Sequence, residues 1–269
     1  MLFNAFSFDK SGNLVQLDDM LARQPIPPSP SPQPVDPDVI GGRKYKTVQI
    51  GNQIWLAENL DLRWDGLRNE VTIDGSDLWN VQNATYFNND ESTYGKDGLN
   101  YGLLYSWGAA KYLHEHENEL CPGWRVPSSE DFQTLINKVR EDVFELDSSG
   151  FSTQYLGKAL ASTTGWNYNK ISGPPGITND PIDLYGFNAK PAGIHLFSTY
   201  YQDSPYPTNA DGVGKFTQYL SYVITKEYNG KPSEYDGMAI EANLRIEPTA
   251  SRPSTENTAC SIRLVRDAP

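Results

Sequence analysis

The chain has 269 residues, of which 38% are hydrophobic and 12% aromatic, enough for one large domain or two ordinary ones with a sizeable core. With 34 acidic against 22 basic residues the formal net charge is −12, a balance that repels phosphate backbones and anionic lipid surfaces and weighs against nucleic acid as a partner. No segment approaches the ~18 continuous apolar residues of a membrane-spanning helix, which argues against membrane insertion, and 22 Gly with 19 Pro favour turns and long loops over a helical bundle.

Residues 1–24 carry an apolar set: Leu2, Phe3, Phe6 and Phe8, then Leu14, Val15, Leu17, Met20 and Leu21. So short a segment cannot bury these side chains against one another. It reads as an extended arm that docks on another protein surface. The segment has no basic start, and Asp9, Lys10, Asp18 and Asp19 interrupt its apolar run. It is therefore not expected to act as a signal peptide, and the product is expected to be made in the cytosol without an export signal.

Next comes "QPIPPSPSPQPVDP", in which 7 of the 13 residues from Pro25 to Pro37 are proline. Each proline fixes φ and removes a backbone donor, so residues 25–40 are expected to form a polyproline II linker. At about 3.1 Å per residue this strut would span roughly 40 Å.

From residue 41 to 269 the chain reads as one domain. In "RKYKTVQIGNQIWLAENL", Val48 and Ile50 alternate with polar residues, Gly51-Asn52 turns, and Ile54-Trp55-Leu56 returns as a second strand. Residues 104–117 read as helical, through Leu104, Trp107, Ala110, Lys111 and His114. The clearest element is "VPSSEDFQTLINKVREDV". There Ser128 caps, Asp131 sits at the capping-box position, and Phe132, Leu135, Ile136 and Val139 come after it at helical spacing. Beyond residue 150 there is little periodicity until "CSIRLVRD", where Cys260, Ile262 and Leu264 alternate with charged residues as a closing strand. Arg263 and Arg266 on that strand either pair with buried carboxylates or face water. Two helices, strands at both ends and long loops between them predict an α+β domain.

Catalytic and metal signatures are weak. In "YLHEHENE", His114 and His116 stand two apart, whereas a zincin helix needs them four apart on one face, so the segment with Glu115 and Glu117 reads as a solvated helix end. "NNDES", Asn88 to Ser92, lacks the spacing and glycine of an EF-hand loop. There is no GxSxG elbow, P-loop or GxGxxG motif. The two cysteines, Cys121 and Cys260, are too few for a structural zinc site; they either pair across the fold or remain two buried thiols. The expectation is a protein with no enzymatic activity, cofactor or metal.

The ordered blocks "YKTVQIGNQIWLAENL", "YGLLYSWGAA", "CPGWRVPSSEDFQTL", "GKALASTTGW", "DLYGFNAKPAG", "LFSTYY" and "SIRLVRD" resemble the Fibrobacter succinogenes major paralogous domain over roughly residues 42–267. That family is common in gut Bacteroidota and their phages. The resemblance implies a C-type-lectin-like fold, related to the scaffold of variable proteins made by diversity-generating retroelements. Phe197 stands where the family usually has tryptophan, and Leu264 where many members have cysteine. Read physically, Trp55, Trp107, Trp124 and Trp166 sit beside Gly, Leu or Pro and are expected to plug the core.

What remains is binding. "FSTYYQDSPYPTNADGVGKFTQYLSY" concentrates Tyr200, Tyr201, Tyr206, Tyr219 and Tyr222 among Asn, Asp, Ser and Gly, and "EYNGKPSEYDG" adds Tyr228 and Tyr235. Rigid amphipathic rings among adaptable hydrogen bonders have the composition of a paratope and suit sugar faces. The expected protein is a phage fibre or capsid decoration, located in the virion and forming a homotrimer. Residues 1–24 would grip a capsid or other virion protein, and the lectin-like domain would bind a host-surface glycan or protein. The alternative is an extracellular cell-surface adhesin or polysaccharide-binding accessory protein.

Overall fold

The computed structural model of the chain describes residues 6–8, 14–16, 38–68, 82–86, 90–146, 156–166, 183–196, 210–211, 216–228, 231–241, 246–248 and 258–269. The chain divides into two compact units, Met1–Asp36 and Pro37–Pro269. In the first, β1 (Phe6–Phe8) and β2 (Leu14–Gln16) pair antiparallel, with Phe8 opposite Leu14. The arm is thus not one extended run, because its two strands pair in opposite directions.

The second unit begins earlier than residue 41. Strand β3 (Val39–Ile40) pairs with β4 (Arg43–Lys44), Ile40 is buried, and Asp38 accepts a 3.1 Å ion pair from Arg266. Asp38 to Ile40 therefore belong to the domain and not to the linker, because their burial and pairing are with it.

The domain is mixed α+β. Strands β5 (Thr47–Ile50) and β6 (Gln53–Leu56) form the expected hairpin, with Ile50 opposite Gln53. Gly51, at φ +62°, supplies the left-handed turn residue that other side chains resist. The last strand, β15 (Val265–Asp267), pairs on the other side of β6, so the two ends of the domain close one three-stranded sheet, β15-β6-β5. A second sheet has the order β10-β9-β14-β8-β7, from β10 (Ala210–Asp211), β9 (Ile194–Leu196), β14 (Thr258–Cys260), β8 (Leu104–Ser106) and β7 (Ala84–Thr85).

Among the described residues there are five helices, not two. They are α1 (Glu91–Tyr94), α2 (Trp107–Glu115), α3 (Glu117–Leu120), α4 (Ser129–Leu146) and α5 (Gly157–Leu160). The segment 104–117 corrects the helical reading: Leu104–Ser106 is strand, and Ser106 then caps α2 by accepting from the Ala109 N–H. A break at His116 separates α2 from α3. Helix α4 matches the sequence closely. The Asp131 N–H donates to Ser128 Oγ at 3.2 Å, and the Ser128 N–H donates back to Asp131 Oδ2 at 3.0 Å, a reciprocal capping box. Phe132, Leu135, Ile136 and Val139 are all buried. Burial raises the Asp131 pKa, but hydrogen bonds from Arg125 and Ser128 outweigh it and hold the carboxyl below its ordinary value.

Two clusters of buried side chains share β6 as their common wall. Leu56 and Leu264 belong to one, with Leu60, Tyr105, Trp107, Leu113, Trp124 and Cys260; Trp55 and Val265 belong to the other, with Phe132, Phe187, Tyr219, Met238 and Ile240. Consecutive strand residues point to opposite faces, so neighbours on β6 and on the 264–265 segment serve different cores. The four tryptophans read as plugs, Trp55, Trp107, Trp124 and Trp166, are all buried.

The closing segment is not one alternating strand. Strands β14 and β15 are separated by residues 261–264, and Arg263 is as buried as its apolar neighbours. Neither alternative for Arg263 holds: its hydrogen bonds go to Asn59 Oδ1 at 3.0 Å, to the carbonyls of Leu56 and Asn188 at 3.4 and 2.9 Å, and to the Phe187 carbonyl. Its guanidinium also lies over the rings of Phe187 and Tyr219.

The largest departure from expectation comes after residue 210. Strands β11 (Phe216–Tyr228) and β12 (Lys231–Glu241) form a long antiparallel hairpin, extended by β13 (Ile246–Pro248) into a three-stranded sheet. Its register shifts at three places, between Leu220 and Ile224, Ile224 and Lys226, and Lys226 and Glu227. The first shift is of two residues and the next two of one each, so no single period of two runs through the pairing.

Candidate recognition surface

Strands β9 and β14 are neighbours, with His195 opposite Ala259 and Leu196 opposite Thr258. Residues 197–257 are therefore inserted in sequence between two paired strands of the five-stranded sheet, and they include that sheet's own edge strand β10 as well as β11 to β13. That insertion contains all seven tyrosines singled out for binding.

The structure divides these tyrosines. Tyr200, Tyr201 and Tyr206 lie outside the described residues. Tyr219 is corrected from ligand contact to core: it is fully buried, packs edge-on against Phe187 at 6.1 Å between ring centroids, and faces Arg263. Burial pushes its phenol pKa up. Tyr222 and Tyr228 lie on β11 and Tyr235 on β12, so one hairpin carries all three. Tyr228 is opposite Lys231, and Tyr235 is opposite Ile224.

The root of the hairpin is tied to the domain. Thr217, Tyr219, Leu220, Ser221, Met238 and Ile240 are buried. The Leu220 N–H donates to the Ser261 carbonyl at 3.0 Å, and the Ser261 N–H donates to the Gln218 carbonyl at 3.0 Å. Gly237 crosses so close to Tyr219 that an added Cβ would stand 2.3 Å from the Tyr219 carbonyl oxygen.

The docking residues fall in the first unit. Leu2, Phe3, Leu17, Met20 and Leu21 lie outside the described residues, while Phe6, Phe8 and Leu14 are on the β1–β2 hairpin.

The remaining candidates are parts of local structure. His114 Nδ1 is 2.8 Å from Glu117 Oε1, and that same oxygen accepts the Val126 N–H at 2.8 Å. His116 contacts the Tyr112 carbonyl through Nδ1 and stacks on the Tyr112 ring at 3.9 Å. Asp90 accepts from the Thr93 N–H and the Ser92 hydroxyl as the cap of α1. Among the described residues, no group of three or more His, Cys, Asp or Glu side chains is placed to hold a metal ion. No helix there is long and apolar enough to cross a membrane. Cys121 and Cys260 are two reduced, buried thiols, and burial pushes Cys121 up to about 12.

Two features escape the sequence reading. Tyr105, Trp64, Tyr112 and His116 form a run of nearly parallel rings, with Trp64 6.0 Å from Tyr105 and 5.9 Å from Tyr112. The spacing of Tyr112 and His116, four apart on a helix, is its visible signal. The long hairpin has a stronger one: two residues separate β11 from β12, and they are Asn229-Gly230, a favoured hairpin turn pair.

A model of the family described as Fibrobacter succinogenes major domain matches residues 48–266, well over half of the chain. No curated protein matches the chain, and no solved structure does. With its framework of buried tryptophans, closing strands and capped α4 lying within the matched span, the chain belongs to the Fibrobacter succinogenes major domain family.

Proposed function

We propose that the protein is a non-enzymatic recognition module on a tether, a phage fibre or capsid decoration that binds a glycan on the host surface. The observation that carries the reading is the insertion between β9 and β14. Residues 197–257 come between two paired strands of a framework sheet and bring six tyrosines, besides the buried Tyr219, among Asn, Asp and Ser. A framework closed by its own terminal strands, with polar and aromatic residues loaded into one insertion, suits display more than catalysis. The paired ends, the two larger helices and the long insertion also support a C-type-lectin-like fold.

The tether supports the setting. The first unit, Met1–Asp36, carries the apolar set Leu2, Phe3, Phe6, Phe8, Leu14, Leu17, Met20 and Leu21 and most of the proline-rich run that comes after that set. In this reading residues 1–24 grip a capsid or other virion protein and the prolines hold the domain away from it. A homotrimer would let three weak sites act together through effective concentration.

The test compares the full chain with a shortened chain starting at Pro37, by co-sedimentation with purified phage particles and, separately, with intact host cells. The proposal expects both chains to sediment with cells and only the full chain to sediment with particles. A full chain that ignores particles but sediments with cells places the protein on a cell surface as an adhesin and removes the virion setting. Failure of both chains on cells removes the recognition role.

A further inference from the structure

Resting on that recognition reading, we propose that the long hairpin is built in two parts, a root that belongs to the core and an outer arm, strand residues Tyr222–Tyr228 and Lys231–Asp236, that is the glycan-contacting element and takes uncharged glycan chains. The division is visible in the pairing. From Phe216 to Leu220, β11 pairs with Gly237 to Glu241 without interruption. Strand β13 covers this part alone, with Met238 opposite Pro248, Ala239 opposite Glu247 and Ile240 opposite Ile246. The bridges from β11 to the rest of the domain, Thr217 to Gly193 and Tyr219 to Ser261, fall in the same part. So do the buried residues Thr217, Tyr219, Leu220, Met238 and Ile240, and the buried Ser221 adjoins it.

The pairing then breaks. Leu220 is opposite Gly237 and the next partners are Ile224 and Tyr235, so Ser221, Tyr222 and Val223 stand against Asp236 alone. Such a bulge bends a strand, increases its twist and re-aims the residues beyond it. Two more shifts come within a few residues, around Thr225 and Ser233. Among the described residues the outer strands pair only with each other. At about 3.3 Å per residue, Tyr222 to Tyr228 gives the arm a reach of roughly 20 Å. A lone two-stranded hairpin is marginal in water, so a ligand that orders this one adds to its stability.

The arm's composition selects the ligand class. On a chain of net charge −12 it holds two lysines, Lys226 and Lys231, against three acids, Glu227, Glu234 and Asp236, and is close to neutral. It has neither the basic excess that an anionic polysaccharide calls for nor a long apolar run for a protein partner. Tyr222, Tyr228 and Tyr235, on the same two strands as Thr225 and Ser233, bring residue types with ring faces and hydrogen bonders, the complement of an uncharged sugar.

The experiment uses the full chain and two variants on an array of neutral glucans, mannans and galactans printed beside sulfated and sialylated glycans. In the first variant, Asn-Gly replaces residues 222–236; in the second, Tyr228→Ser and Tyr235→Ser are combined in the intact arm. The expected result is that both variants melt cooperatively within about 5 °C of the parent, and that binding to neutral glycans falls at least about tenfold in each. Variants that fold and bind like the parent overturn the assignment to the arm while leaving recognition by the rest of the insertion intact. Loss of cooperative melting in the first variant overturns the division into root and arm. A parent that binds only the anionic glycans overturns the ligand class. A parent that binds nothing on the array, while melting cooperatively, removes the recognition reading itself.

Discussion

The guanidinium of Arg263 lies 5.4 Å from the centre of the Tyr219 ring, with both side chains fully buried. Arg263 thereby joins the end of the chain to the root of the hairpin, and its hydrogen bonds to Asn59, Leu56, Phe187 and Asn188 join both to β6, to Asn59 and to the 187–188 segment. Its direct acceptors are an amide and carbonyls, so its loss would leave buried oxygens without a donor. Arg263→Met is expected to cost roughly 3 kcal/mol or more, since each unsatisfied buried group costs about 1–3 kcal/mol. Arg263→Lys recovers only part of this, because an ammonium cannot reproduce the planar fork. Urea unfolding of the two variants beside the parent measures both; a loss under about 1 kcal/mol for the Met variant would contradict the keystone role.

Gly237→Ala is expected to destabilise the hairpin root by about 1–3 kcal/mol, as overpacking does. The new methyl would stand 2.3 Å from the Tyr219 carbonyl oxygen, which is backbone and cannot swing aside. The thermal midpoint should fall by several degrees, and amide exchange at Tyr219 and Leu220 should accelerate. An unchanged midpoint would mean that the two strands separate without cost.

His195, on β9, is 7% exposed, and burial lowers its pKa to about 4. The unfolded chain takes up this proton near pH 6.5, while the folded chain resists it until about 4. Stability from this group is therefore full above the unfolded value and lost progressively as pH falls through the window. The total is on the order of 3 kcal/mol, at about 1.4 kcal/mol per pH unit. Urea midpoints at pH 7, 6 and 5 should decline, and His195→Gln should flatten the decline between 7 and 5. An equal slope in the variant would assign the effect elsewhere.

Cys121 and Cys260 are both buried free thiols, and burial pushes Cys121 up to about 12, so the folded chain shields both from reagents. A thiol-reactive dye is expected to label neither in the native protein and both after unfolding in guanidinium. Rapid labelling before unfolding, or the absence of reactive thiol after it, would contradict the described core.

Much of the framework is written locally. The Gly51-Asn52 turn, the capping pair Ser128 and Asp131, the spacing from Phe132 to Val139 and the tryptophan plugs each depend on a few adjacent residues. The features that are not legible depend on partners far away in sequence. Arg263 reads as the polar half of an alternating strand until Asn59, Leu56 and Phe187 supply its acceptors across the fold. Tyr219 reads as one of a set of display tyrosines until the root of the hairpin proves to be part of the core. The hairpin is hidden for a different reason: its bulges scramble the alternation, leaving Asn229-Gly230 as the local clue. Leu104 to Ser106 read as part of the α2 pattern because their apolar residues continue its spacing, whereas pairing with Ala84, Thr85, Ala259 and Cys260 makes them a strand.

The most direct measurement of the central claim is saturation binding of the fluorescently labelled full chain to intact host cells, before and after mild periodate oxidation of the cell surface. Periodate cleaves vicinal diols in sugars and leaves most protein surfaces intact. The account predicts saturable binding that periodate abolishes. Saturable binding that survives periodate, or no binding by a cooperatively folded chain, would contradict it.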